Sequence, residues 1–181
     1  MKKIYTLTLI GIFLSFNAKS QSQLNDFDRY TNSEKSNKIP DFVDLTKLPK
    51  SIELIENYHL TGDFNGDDKS DFSSVIIDKS NGKKGVLIIH NSDNQEQFIF
   101  GAGKKVDNMT DLNWIEIFKT ISKGKKVAPE LVDKKTGDLL APDKNQEFEL
   151  IGNGIYMSVT ETHGAGIIFW NGERYKWYHI E

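Results

Sequence analysis

Gly85-Val86-Leu87-Ile88-Ile89-His90 is the stretch on which the fold turns. The apolar run is short, and three of its members, Val86, Ile88 and Ile89, are β-branched. Successive side chains of a strand point to opposite faces, so an unbroken apolar run needs cover on both sides. The run predicts a strand buried on both faces of its sheet. Moving outward, Ser80-Asn81-Gly82 and Ser92-Asp93-Asn94 are turn sequences on either flank. Beyond them, residues 72–77 and Gln97-Phe98-Ile99-Phe100 read as further strands, the second ended by Gly101-Ala102-Gly103.

The same reading extends to both ends of the folded part. Phe42-Val43-Asp44-Leu45, between Pro40 and Pro49, is expected to begin it. Residues 51–58 are ambiguous, because Ile52, Leu54 and Tyr58 partly alternate while Ile55 breaks the pattern, which suits a strand or a short helix. One short helix is expected near residues 111–121, with Asp111 as its cap and Trp114, Ile115, Phe118 and Ile121 on one apolar face. Residues 123–145 are charged and read as a surface excursion. Strands resume at Phe148-Glu149-Leu150-Ile151 and Ile155-Tyr156-Met157-Ser158-Val159. At the C-terminus, Asn171-Gly172 between two aromatic-rich runs predicts a two-residue type I′ hairpin. That register sets Ile168 opposite Tyr175 and Trp170 opposite Glu173, with Phe169 and Arg174 on the other face. The chain is therefore read as mainly β with a minor α part: a single antiparallel sheet or sandwich-like domain over residues 40–181. With no internal repeat of about 20 to 50 residues, a multi-bladed propeller cannot be built from this chain alone.

The N-terminus reads as an address. Lys2-Lys3, an apolar stretch over residues 4–16 and the small residues of Ala18-Lys19-Ser20 predict a signal peptide over residues 1–20. The apolar stretch falls short of the ~20 residues a membrane span needs, and no later segment approaches that length. Residues 21–39 read as a flexible polar leader, and the product as periplasmic or secreted. Loss of Lys2, Lys3 and Lys19 with the signal takes the net charge from −3 to −6. That acidic balance argues against a nucleic-acid partner, which would need a basic face. The absence of cysteine rules out disulfides, thiol nucleophiles, thiolate metal sites and a lipoprotein anchor.

Chemistry is concentrated in Gly62-Asp63-Phe64-Asn65-Gly66-Asp67-Asp68-Lys69-Ser70-Asp71. Asp63, Asn65 and Asp67 alternate, so a curling backbone aims all three inward. Lys69 would add its backbone carbonyl, and Asp71 would close the ring as the next strand begins. Clustered carboxylates repel unless a cation neutralises them, and this set of oxygens predicts structural calcium. The other reading of the same residues is a string of Asx-turns on a polar hairpin without metal. Asp68 and Ser74 stand where an EF-hand loop needs glycine and glutamate, so the loop is not one. It resembles a single FG-GAP or VCBS-type repeat, whose calcium loop joins two strands; the departure is Asp68 in place of that family's usual glycine. The order of this loop, Phe100-Gly101-Ala102-Gly103-Lys104, Asn113-Trp114, and Phe169-Trp170-Asn171-Gly172 with Tyr175-Lys176-Trp177 also resembles small exported bacterial proteins of unknown function.

Other candidates are fewer. None of His59, His90, His163 and His179 has ligand spacing. Glu161 and His163, beside Gly164, could support acid–base chemistry or form the turn before the last hairpin. Trp170, Tyr175, Trp177 and Tyr178 either fill the core or grip a protein or carbohydrate partner. These readings predict a calcium-stabilised binding or interaction module without catalysis. An inhibitor or immunity-type protein for a secreted enzyme is the alternative, and a calcium-dependent hydrolase the third.

Overall fold

A computed structural model describes residues 38–133, 135–160 and 165–180 of the chain. The signal segment, the leader up to residue 37, and both Glu161 and His163 lie outside the described residues. Strands β1 (Ile52–Gly62), β2 (Asp71–Asp78), β3 (Lys83–Ile89) and β4 (Gln97–Gly101) form an antiparallel meander in that spatial order. β5 (Ile117–Ile121) leaves for a second sheet. β6 (Lys126–Val127), β7 (Glu130–Val132), β8 (Leu139–Pro142) and β9 (Phe148–Glu149) make two small ribbons, β6 with β9 and β7 with β8. The chain returns through β10 (Gly154–Ser158), β11 (Ala165–Trp170) and β12 (Tyr175–Ile180), giving a second sheet ordered β12-β11-β10-β5. The architecture is mainly β and sandwich-like, with both sheets open.

β3 explains why the first sheet needs two covers. Val86 and Ile88 join Leu60, Phe64 and Val75 in a buried cluster with Phe118, Ile155, Met157, Ile168 and Tyr175 of the second sheet. Leu87 and Ile89 point the other way and, with Phe72 and Ile76, meet Val43, Ile39, Phe42 and Leu48 of the preceding segment. Burial of each such side chain contributes about 1.5–3 kcal/mol, so both layers are stabilising. The segment is also strapped down: Asp44 N donates to Gln95 Oε1, and Gln95 Nε2 donates back to the Asp44 carbonyl, both at 3.1 Å.

Of the ambiguous residues 51–58, those from Ile52 onward are strand, interrupted by an irregularity between Leu54 and His59 where Asn57 takes a φ of 65°. The excess residues let Ile55 and Tyr58 both pack on the sandwich core, which is why alternation failed there.

Two expectations are corrected. Residues 111–121 are not a helix. Asp111 Oδ1 accepts Lys84 N at 2.9 Å instead of capping a helix, and Leu112 N donates to the Lys84 carbonyl at 2.9 Å. Residues 117–121 pair along β10 as an edge strand. Strand pairing outweighed an apolar spacing only three turns long, in a segment whose Ile117, Thr120 and Ile121 are β-branched. The last hairpin keeps its position but not its register: Trp170 pairs with Tyr175 and Ile168 with Trp177. Asn171 Oδ1 accepts from both Glu173 N (3.1 Å) and Arg174 N (2.9 Å), so an Asx-turn enlarges the loop beyond Asn-Gly. The slip is even, so every side chain stays on its expected face.

Candidate functional site

The acidic loop runs from the end of β1 to the start of β2, and its side-chain oxygens are spent on its own backbone. Asp63 Oδ1 accepts Gly66 N (2.6 Å), Asn65 Oδ1 accepts Asp67 N (3.0 Å), and Asp67 Oδ1 accepts Lys69 N (2.9 Å). Asp71, fully buried, accepts Phe64 N and Asn91 N, each at 2.9 Å. Burial pushes its carboxyl above the ordinary range, opposed by those two amides and by His90.

The cation among these carboxylates belongs to the protein. Lys123, in the turn after β5, places its ammonium 3.0 Å from Asp63 Oδ2 and 2.6 Å from Asp68 Oδ1. The contact to Lys123 holds the Asp68 carboxyl below its usual range and raises the lysine. Among the described residues no group of three or more His, Cys, Asp or Glu side chains could hold a metal ion. The expectation of structural calcium on Asp63, Asn65, Asp67, Lys69 and Asp71 is therefore overturned, and the Asx-turn reading describes the loop. Asp68 has a left-handed φ of 64°, the conformation that a glycine would adopt at no cost.

What the loop does is join the two sheets. Phe64 is buried in the shared core. Asp63 N donates to Asn153 Oδ1 at 2.9 Å, and Asn153 N donates back to the Asp63 carbonyl. Gly152 lies so close that a β-carbon there would stand 2.8 Å from both the Asp63 carbonyl and Gly66 N.

The aromatic candidates divide between faces. Trp170, Tyr175 and Trp177 belong to or pack on the sandwich core. Tyr178 points to the opposite face, where Phe148 and Phe169 lie 5.7 and 5.2 Å from its ring. The Tyr175 phenol is hydrogen-bonded to His90 Nε2 at 2.7 Å, and His90 Nδ1 lies 3.5 Å from Glu96 Oε2. Phe98 and Trp170 close around the same imidazole. Burial, then the carboxylates of Asp71, Asp63, Asp67 and Glu96, push the phenol far above the ordinary tyrosine range. This carboxylate–imidazole–phenol chain pins β12 to the first sheet. His59 instead sits edge-on to Phe72 at 5.5 Å.

Where β4 and β12 meet, the sandwich opens into a groove of about 640 Å³. Tyr175, Trp177 and Tyr178 line it, as do Phe100, the residues 105–107 that follow β4, Pro129, Glu130 and Gln146. Trp170 does not line it. β12 is the outermost strand of its sheet. Lys105, Arg174 and Lys176 bring cations to the rim, and His179 faces Asp107 at 3.5 Å. Nothing in the local sequence marked these cations as neighbours, since residues 105 and 174 meet only through the fold.

No protein-family model, no curated protein and no solved structure matches the chain. The resemblance to an FG-GAP or VCBS-type repeat thus rests on the loop residues alone. Among the described residues no helix is long and apolar enough to cross a membrane.

Proposed function

We propose that this sandwich is an exported binding module that engages a partner protein along the outer edge of β12. The observation that carries the reading is an outermost strand lying within a groove, with aromatic side chains exposed to it in part. A strand at the edge of a sheet presents main-chain donors and acceptors that natural proteins normally blunt or cover. Here that edge lines a groove, and the half-buried rings of Trp177 and Tyr178 add aromatic area, a composition enriched at protein interfaces. The reading of residues 1–20 as a signal and 21–39 as a leader supports export of such a module.

The test is selection of random decapeptides displayed on phage against the purified domain, followed by amide NMR mapping of the enriched peptides. The expected result is shifts along β12 and residues 105–107. Enriched peptides that shift only the β1 side, or a library that yields no binder, would refute this reading.

A further inference from the structure

We infer that the partner segment is an extended acidic peptide that adds to β12 as one more strand, a deepening that rests on the binding reading above. Its first support is geometric. β12 pairs with β11 through every residue from Tyr175 to Ile180, and among the described residues no strand pairs with its other side. An extended peptide laid there would satisfy the outward main-chain groups, while side-chain pockets on alternate positions would set preference.

The second support is charge. Lys105, Arg174 and Lys176 line the groove with no ion pair or side-chain hydrogen bond to any described residue. Of the anions in the same groove, Asp107 already faces His179, and Glu130, at the start of β7, has an interaction of its own. Three cations are thus left for a ligand. Lys176 lies on β12 and Arg174 immediately before its start, so strand alternation continued by one residue would bring both to the same face. A strand added beside them would meet them with its own residues i and i+2. The matching ligand carries Asp or Glu at alternate positions and apolar residues between them, the latter turned toward Trp177. A second copy of this chain is a poorer occupant, because antiparallel pairing of two β12 edges would set the same cations near each other and repel.

The closing experiment uses the decapeptide library on the full mature domain. Enriched sequences are expected to carry acidic residues at alternate positions. Binding by fluorescence anisotropy should weaken at least tenfold with the Arg174→Glu, Lys176→Glu double variant, and should weaken in the wild type as salt rises from about 0.05 to 0.5 M by screening. Backbone N-methylation at one set of alternate residues should abolish binding, while methylation of the other set should not. Enrichment of neutral or basic sequences that still map to β12 would overturn the acidic ligand and leave the binding reading standing. Tolerance of N-methylation at every position would overturn strand addition. A domain that sediments as a dimer, broken by the double variant, would assign the edge to a second copy and overturn the inference. If no peptide maps to β12, both readings fall.

Discussion

The ammonium of Lys123 lies between Asp63 and Asp68, 3.0 Å from one carboxylate and 2.6 Å from the other, across more than fifty residues of chain. It supplies the positive charge that clustered acids demand, and it does so from the opposite sheet. Melting of the domain should therefore be indifferent to calcium at roughly millimolar concentration, the range of extracellular calcium modules, and to chelator. A ligand that binds only the folded state must raise the melting temperature by mass action. A chelator-reversible rise would show that the loop holds a metal after all.

Replacing the lysine isolates its electrostatic part. Lys123→Met keeps most of the aliphatic stem and removes the charge. The hydrogen bond and charge of Lys123 hold Asp68 below 3.8 in the folded protein, so that pairing contributes at pH above the ordinary carboxylate range and is lost as pH falls through the lowered value. In the variant, the Asp68 carboxyl followed by carbon-detected NMR should titrate higher, back toward the ordinary aspartate range. The melting temperature should drop slightly at pH 7 and match wild type near pH 2. An unchanged Asp68 midpoint would remove Lys123 from the account.

Gly152 tests whether the joint between loop and second sheet is a tight one. A β-carbon there meets backbone on several sides, at 2.8 Å from the Asp63 carbonyl and from Gly66 N, so no side-chain rotation relieves it. Overpacking of this kind costs about 1–3 kcal/mol, which lowers the melting temperature by several degrees in a domain of this size. Gly172→Ala changes a residue with a φ of 99° at an exposed hairpin tip, where the nearest atom is 3.8 Å away. Its cost is backbone strain alone and should be the smaller. Equal losses in the two variants would contradict the close packing assigned to Gly152.

These contacts mark where the sequence stops being informative. The run from Val86 to Ile89 declared its two-sided burial because alternation is a local property, while the identity of its cover, the segment with Val43 and Leu48, came only from the fold. The Asn-Gly tip located the last hairpin, yet the Asn171 side chain chose a longer turn by accepting two amides, a choice of hydrogen bonds that composition does not rank. Trp114, Ile115, Phe118 and Ile121 had helical spacing, but β10 offered a pairing partner that only the fold reveals. The acidic loop announced a need for positive charge. Whether a metal or a distant lysine would meet that need depended on a turn more than fifty residues away. The groove cations were illegible for the same reason.

Tyr175 gives the stability of the fold a pH signature. Its phenol is buried, hydrogen-bonded to His90 and surrounded by carboxylates, so the folded protein holds the phenolic proton far more tightly than the unfolded chain, whose tyrosines titrate near 10. The contribution is complete below about pH 10 and is lost as pH rises beyond it, because unfolding then releases the proton. Wild-type stability should fall above that point by up to about 1.4 kcal/mol per pH unit from this group. Tyr175→Phe removes the titrating group and leaves His90 Nε2 without its partner in a buried site. At pH 8 the variant should be less stable by about 1–3 kcal/mol, the usual cost of an unsatisfied buried polar atom. The two urea-unfolding free energies should then converge between pH 10 and pH 11.5 as the wild type alone loses this term. A gap that stays constant over that interval would mean the phenol ionises as freely in the fold as in the unfolded chain, and that β12 is not pinned to the first sheet through His90.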